Sequence, residues 1–404
     1  MIFLSIIVQK YGGTSVATID KIKSVAKLLI ERKESGTKVV AVVSAMGKTT
    51  DKLIAMAKEI SESPNERELD MLISTGEQVT SSLLAMTLNE LGYDSISLTG
   101  FQAGIKTGDN HTKAPILDID IKKVKKYLDE GKIVIVAGFQ GMDKRGDITT
   151  LGRGGSDTTA VALAAKLNCP CEIYTDVQGI YGTDPRIYPN AKKLDYITYE
   201  EMMEMASLGA KVIETRAVEM GCKYNVPIYI ALNTGKCPGT YIKELDESME
   251  AKVITGLTIN DDDLMVTINN VLYNTKNIYI IFNELSSKDI NIDMISQTAP
   301  VNGYVNISFT APKSAKSLIE KLLDDLKTHM KEINVDIQED ITKISVVGLG
   351  MRTQSGVASR IFKIFADNDI QFKQITTSEI RISYAINTKD KEKAVSNIAK
   401  EFNL

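Results

Sequence analysis

Over the first 245 residues, short unbroken apolar runs alternate with stretches whose apolar residues recur every three or four positions. A short apolar run bounded by turn formers reads as a buried strand, and the longer spacing reads as a helix with one apolar face. Strands are expected at 4–9, 38–43, 94–98, 133–137, 172–175 and 226–232. Helices are expected at 19–33, from about 51, across 65–91, from the loop at 151–155 to 167, over 199–205 and up to 223. Val25, Leu28 and Leu29 give the first helix its apolar face, and Gly36 stops it. Repeated strand, loop and helix predict an α/β fold, an open, mostly parallel sheet sandwiched by helices. Gly76 falls inside the 65–91 stretch and carries a local cost in a helix. Glu77 beside it is either a solvated helix residue or a group aimed into a site.

Beyond a charged segment at 243–252, read as a linker, the pattern changes. A strand at 264–269, a helix at 279–285, strands at 290–297 and 305–310 and a helix at 314–329 follow in order. The same order returns at 344–347, 356–366, 370–376, 379–385 and 391–402. Each set is β-α-β-β-α, most of a ferredoxin-like βαββαβ unit, so the tail reads as an internal duplication. The closing strand of each unit does not show in the pattern. The expected division is 1–245, then tail units at 254–335 and 340–404. Neither repeat holds a catalytic set, so a sensing or pairing role is expected for both.

Composition narrows the class. With 404 residues, 43% hydrophobic and 25% charged, the chain is ordinary for a globular protein of two or three domains. A net charge of −4 supplies no basic field for nucleic acid. No apolar run is long enough to span a bilayer, so no membrane role is expected. Four cysteines and no signal peptide suit a reducing, cytoplasmic setting. The Cys169-Pro170-Cys171 spacing is wrong for a zinc knuckle, and His111 and His329 are the only histidines. Buried free thiols are expected and no protein-held metal.

The loops carry the chemistry. Residues 151–167 read LGRGGSDTTAVALAAKL. Gly152, Gly154 and Gly155 allow a sharp turn and close approach to a ligand, and Ser156 or Asp157 is a candidate helix cap. A helix N-terminus favours an anion, and Arg153 adds a planar fork for carboxylate or phosphate. Alone, this loop is equally a plain turn. Similar loops, however, follow other strands: Lys10 before Gly12-Gly13, and 175–186 after the strand at 172–175. Ligands of open α/β sheets sit at such carboxyl ends. Lys10 is either a solvated strand-end lysine or an ammonium for phosphate oxygens. Neither a G-x-x-x-x-G-K-[ST] loop nor a protein-kinase signature is present. No general base stands out, which suits an acceptor already ionised at neutral pH, a carboxylate. Such an acceptor needs an arginine for its second carboxylate, an acid for its amine and cations on the phosphates. Arg153, Glu77 and the set of Lys10, Lys211 and Mg²⁺ fit these roles, with the metal held mainly by phosphates and water.

These pieces resemble the aspartate kinases of the amino-acid kinase superfamily. The likeness rests on KYGGTS (10–15), VSAMGKTTD (43–51), STGE (74–77), GRGGSD (152–157), TDVQGIYGTDPR (175–186) and ASLGAKV (206–212). INIDMISQ and ITTSEIRIS in the tail match the family's paired ACT domains. The resemblance implies the amino-acid kinase fold followed by two ACT domains. It implies transfer of the ATP γ-phosphate to the side-chain carboxylate of L-aspartate, giving 4-phospho-L-aspartate on the route to lysine, threonine, methionine and diaminopimelate. It implies that Lys10, Gly12 and Gly13 contact the phosphates. Ser44, Thr50, Glu77, Arg153, Gly154, Gly155 and Ser156 would line the aspartate pocket. Thr175, Asp176, Tyr181, Arg186, Lys211 and Val212 would hold the nucleotide, with Lys10, Arg153 and Glu77 as the catalytic set. The ACT pair would bind an inhibitory end product, lysine before threonine, and would join subunits as a homodimer or dimer of dimers. Deleting 254–404 is expected to relieve feedback if the catalytic part remains folded. The sequence departs from the family at Ile213-Glu214-Thr215-Arg216, where Leu-His-Pro-Arg is common, and at the loop Tyr273–Asn277 before the first tail helix. The competing readings are a kinase for glutamate, acetylglutamate or a nucleoside monophosphate, and a non-catalytic amino-acid-binding regulator.

Overall fold

The structure is a computed structural model that describes residues 5–235, 237–244 and 252–404. The N-terminal residues 1–4 and most of the expected linker at 243–252 lie outside the described residues. The chain forms two compact units. The first holds residues 5–180, 193–207 and the described part of 211–244; the second holds 181–192, 208–210 and 252–404.

The first unit is built on an eight-stranded sheet in the order Tyr196–Ile197, Thr240–Ile242, Ile228–Leu232, Cys171–Thr175, Ile6–Tyr11, Lys38–Val43, Ile133–Ala137, Ser95–Leu98. The pairs are parallel except that of Ile228–Leu232 with Thr240–Ile242. Five of the six residues of Lys38–Val43 are buried, as expected for a central strand covered on both faces. On one face Ile7, Tyr11, Val39, Ala41 and Val43 pack against Ile22, Val25 and Leu29 of helix Ile19–Glu34 and Leu84 and Leu88 of helix Thr75–Glu90. Helix Gly155–Leu167 packs on strands Ile6–Tyr11 and Lys38–Val43. From Ala160 to Ala165 it is continuously apolar, and that stretch is buried up to Ala164. A second, small sheet joins Ile116–Ile119, Ile105–Thr107, Gln140–Met142 and Ile148–Thr150. The sequence pattern did not reveal this sheet, nor helix Lys122–Asp129.

The tail has two four-stranded antiparallel sheets, but their division differs from the expected 254–335 and 340–404. Strand Gly256–Asn260 pairs with Ile341–Val347 and belongs to the second sheet, with Arg381–Asn387 and Phe372–Thr377. Asp263–Leu272, Asp293–Gln297, Tyr304–Pro312 and Asn334–Gln338 make the first sheet. The first repeat is thus inserted after the opening strand of the second. Each sheet has its own core beneath two helices. Met265, Met294, Ile341 and Ala385 cluster together, and Lys343 beside them pairs with Asp263 at 2.8 Å and Asp293 at 2.9 Å. Among the described residues, no helix is long and apolar enough to cross a membrane.

Candidate active site

Alternation along Ile6–Tyr11 decides which side chains reach the site. Ile7 and Tyr11 enter the core beneath helix Ile19–Glu34. Lys10 turns to the opposite face, where its Nζ lies 2.6 Å from Asp157 Oδ1. The two side chains are 12% and 11% exposed. This is an ion contact rather than an aligned hydrogen bond, since Oδ1 makes none. Two glycines follow. A Cβ on Gly12 would lie 3.4 Å from Lys10 Nζ, and one on Gly13 would lie 2.8 Å from Ala45 O. Their missing side chains keep open the space beside the ammonium.

The loop after the next strand is tied to the first. Ser44 N donates to Tyr11 O at 3.1 Å, and Gly47 N donates to Gly13 O at 3.0 Å. Ser44 and Thr50 are half-buried, Thr50 in the first turn of helix Thr49–Ile60. Ala45 N donates to Glu77 Oε1 at 3.0 Å. The single helix expected over 65–91 is two, Glu66–Ile73 and Thr75–Glu90, meeting at Ser74. Gly76 therefore sits in a first turn, and the interior-helix cost does not arise. A Cβ there would come 2.8 Å from Ala45 Cβ, so the glycine permits the close approach that brings Glu77 to Ala45. Glu77 is not solvated: it is 3% exposed. Its Oε2 is buried without a hydrogen-bond partner among the described residues. Burial pushes its carboxyl up to about 7, against the pull of the Ala45 N–H.

The glycine loop at 152–155 corrects another expectation. Neither Ser156 nor Asp157 caps the helix. Gly154, at φ +64°, is the cap residue and makes no side-chain bond. This left-handed turn places Ser156 and Asp157 inside the first helical turn, both buried. Asp157 then meets Lys10, a pairing the sequence reading missed. Asp157, the one acidic residue of this helix, set in its first turn, was the available signal. Gly155 is packed against Phe139 and Leu151. Ser156 Oγ lies 2.8 Å from where a Gly138 Cβ would stand. Arg153 is exposed. Glu214 leans over the loop, its Cβ 2.3 Å from the position of a Cβ on Gly154. Burial raises the Glu214 carboxyl, the Arg153 charge opposes that rise and Asp157 adds to it. Arg216 donates to Leu151 O and Ala114 O, each at 2.9 Å.

The residues assigned to the nucleotide are divided. Thr175 ends strand Cys171–Thr175 and donates to Asp176 at 3.1 Å. Asp176 and Lys211 are exposed and Val212 half-buried, all in the first unit. Tyr181 and Arg186 belong to the second unit, where Arg186 pairs with Asp184 at 2.7 Å. Of the cysteines, only Cys171 is fully buried, the others being intermediate, and all four are free. Burial pushes the Cys169 thiol up to about 12, away from reactivity. No cluster of three or more metal-ligating side chains exists among the described residues.

The residues so placed are a lysine at the carboxyl end of a parallel strand, followed by glycines, a buried acid in the first turn of a helix and an arginine on a glycine loop. Residues 5–232 match the model of the amino acid kinase family, and residues 344–402 match an ACT domain. The chain is 45% identical over 402 residues to an aspartokinase of Bacillus sp. (strain MGA3), spanning 99% of this chain and 98% of that one. It is 44% identical, with the same coverage, to aspartokinase 2 of Bacillus subtilis. The fold matches E. coli aspartokinase III in complex with aspartate and ADP, with a TM-score of 0.80, 23% identity and coverage of 99% and 100%. The chain belongs to the amino acid kinase family. Within it the chain is an aspartate kinase, an ATP-dependent phosphotransferase with a carboxylate acceptor, carrying a C-terminal ACT region.

Proposed function

We propose that the chain phosphorylates the side-chain carboxylate of L-aspartate at the site built by Lys10, Glu77 and Arg153, as the first step toward lysine, threonine, methionine and diaminopimelate, in the cytoplasm. The observation that carries this assignment is the buried, unpartnered Oε2 of Glu77. A carboxylate in that position calls for a cation, and the α-ammonium of an amino acid supplies one. Arg153, exposed on its glycine turn, then takes the α-carboxylate as a bidentate fork. Thr50, Ser44, Gly154, Gly155 and Ser156 complete the pocket. The acceptor carboxylate is ionised and needs no base, so positioning and charge neutralisation dominate the step. Lys10 neutralises the phosphates from the space that Gly12 and Gly13 keep open, and Asp157 holds its ammonium in place. The remaining nucleotide contacts are Thr175, Asp176, Tyr181, Arg186, Lys211 and Val212. Mg²⁺, bound mainly by phosphates and water, supplies further charge neutralisation.

The ACT region is proposed to bind an inhibitory end product. A cavity of about 610 Å³ in the second tail repeat is lined by Met351, Arg352, Gln354, Gly356, Thr377 and Glu379 among others. Arg352 and Glu379 pair at 3.1 Å, offering one charge of each sign to an amino acid. Glu379 favours lysine, whose ε-ammonium adds a second cation beside the one that Arg352 supplies. Subunits would join through the same region, as at least a dimer. Trapping the acyl phosphate with hydroxylamine tests the substrate: hydroxamate is expected from aspartate and not from glutamate. Product from glutamate alone contradicts the proposal. Titrating lysine and threonine against activity tests the effector, with lysine expected to inhibit at the lower concentration.

A further inference from the structure

We propose that Asp70 is a positioning residue for Arg153, acting through the segment that leads into the glycine loop. This rests on the reading of Arg153 as the clamp for aspartate. Asp70 lies in helix Glu66–Ile73 and is wholly buried. Its carboxylate accepts from Thr150 N at 3.0 Å, Thr112 N at 2.9 Å and His111 Nδ1 at 2.9 Å, and from the Thr150 hydroxyl. The His111 bond assigns its proton to Nδ1. Each of these donors belongs to a segment that borders the glycine loop.

Thr150 ends strand Ile148–Thr150, and Gly152 follows one residue later. Thr150 O accepts from Ala114 N at 2.9 Å, and Leu151 N donates to Phe139 O at 2.9 Å. Leu151 O is held by Arg216, which also holds Ala114 O. Gly152, at φ +80°, closes on Thr112, whose O lies 3.0 Å from where a Gly152 Cβ would stand. The main chain entering the loop is therefore fixed from two sides, by Asp70 and by Arg216, and the exposed Arg153 is the next side chain. An apolar residue at position 70 would fill the space between helix and strand. A carboxylate also dictates direction, because a buried charge demands every one of its donors.

The test is steady-state kinetics on the full chain with both substrates varied, for Asp70→Asn, Thr150→Val, Thr150→Ser and Arg153→Ala. An amide at position 70 keeps an oxygen for the three N–H groups that meet Oδ2 but loses the charge that holds them, and it sets an NH2 against the Thr150 hydroxyl in place of Oδ1, which loosens the loop entry. Asp70→Asn is expected to raise the aspartate KM about tenfold or more while the ATP KM moves less than about twofold, since small misplacements of a clamp are costly. Thr150→Val is expected to raise the aspartate KM about threefold, and Thr150→Ser, which keeps the hydroxyl, to restore the parent value. An unchanged aspartate KM in folded Asp70→Asn, or equal rises in both KM values, overturns the proposal. If Asp70→Asn does not fold, equal aspartate KM values for the Thr150 pair overturn it. If Arg153→Ala leaves the aspartate KM unchanged, the clamp reading itself fails. If Arg153→Ala raises it and the Asp70 and Thr150 variants do not, only the positioning inference fails.

Discussion

Glu77 holds a negative charge where burial opposes it, and both stability and substrate binding register that conflict. Its folded-state carboxyl titrates near 7, above the ordinary carboxylate value of 4.5. Between those values the folded protein holds a proton that the unfolded chain has lost. This contribution to stability is therefore fully present below pH 4.5 and disappears as pH rises through 7, a change of about 3 kcal/mol. Glu77→Gln keeps the bond from Ala45 and removes the charge. It is expected to melt several degrees above the parent at pH 8.5 and close to it at pH 4.5; equal melting temperatures at pH 8.5 would show that the charge is not strained. Binding has the opposite dependence, because the ammonium of aspartate requires the ionised form. The aspartate KM of the parent is expected to rise as pH falls below about 7 and to lose this dependence in Glu77→Gln. Glu214 is an acidic neighbour of Arg153, at a position where the family often has histidine. It repels the carboxylate that Arg153 receives. Glu214→Gln is expected to lower the aspartate KM about twofold to fivefold, an electrostatic effect of order 1 kcal/mol or less, and a raised KM would give Glu214 a supporting role instead.

The break at Ser74 shows how an element boundary makes a site. Ending one helix there and starting another lets Gly76 approach Ala45 and turns Glu77 inward. Gly76→Ala adds a Cβ 2.8 Å from that of Ala45, which has no flexible end to move aside. It is expected to cost about 1–3 kcal/mol of stability through overpacking and to raise the aspartate KM, measured by denaturant titration and kinetics on the same preparation. Periodicity could not reveal the break, since both halves carry helical spacing and no proline separates them; the available signal was Ser74 with Glu77 three residues on, a helix-start pattern inside the run. The main strands were legible because central parallel strands are continuous apolar runs, as Lys38–Val43 illustrates. The small sheet was not, because strands such as Ile105–Thr107 and Gln140–Met142 have three residues each, too few for a pattern. Helix Lys122–Asp129 hid behind its charge: only Val124 and Leu128 are buried. Lys10, Glu77 and Arg153, the proposed catalytic set, stand out in the sequence through the glycines beside them. The Lys10–Asp157 contact depends on strand parity and on the left-handed turn at Gly154, which spacing alone does not encode.

At the scale of the molecule, the tail is interleaved with the rest of the chain. Residues 181–192, which include the second half of the 175–186 loop assigned to the nucleotide, belong to the second unit. Leu257 N donates to Gly182 O at 2.7 Å, Ile187 and Tyr188 pack on the core of the second repeat, and Leu404 lies against Gly182. Truncation at 254 removes these contacts of the loop, so a loss of ATP affinity is expected alongside any relief of feedback. A milder cut makes the point with the fold retained: removing Asn403 and Leu404, whose side chain is 5% exposed, is expected to raise the ATP KM about threefold or more and leave the aspartate KM near the parent value. The interleaving also accounts for the misplaced tail boundary. Gly256–Asn260 is next in sequence to the first repeat, yet its partner is Ile341–Val347, a pairing that no local pattern announces. The central claim is that Arg153 clamps the aspartate carboxylate that does not react, while Lys10 and its glycines serve the phosphates. Its most direct test is the aspartate KM of Arg153→Ala, measured with ATP saturating. A rise of about a hundredfold with an ATP KM near the parent value is predicted, as for loss of a bidentate charged contact; an unchanged aspartate KM would contradict the account.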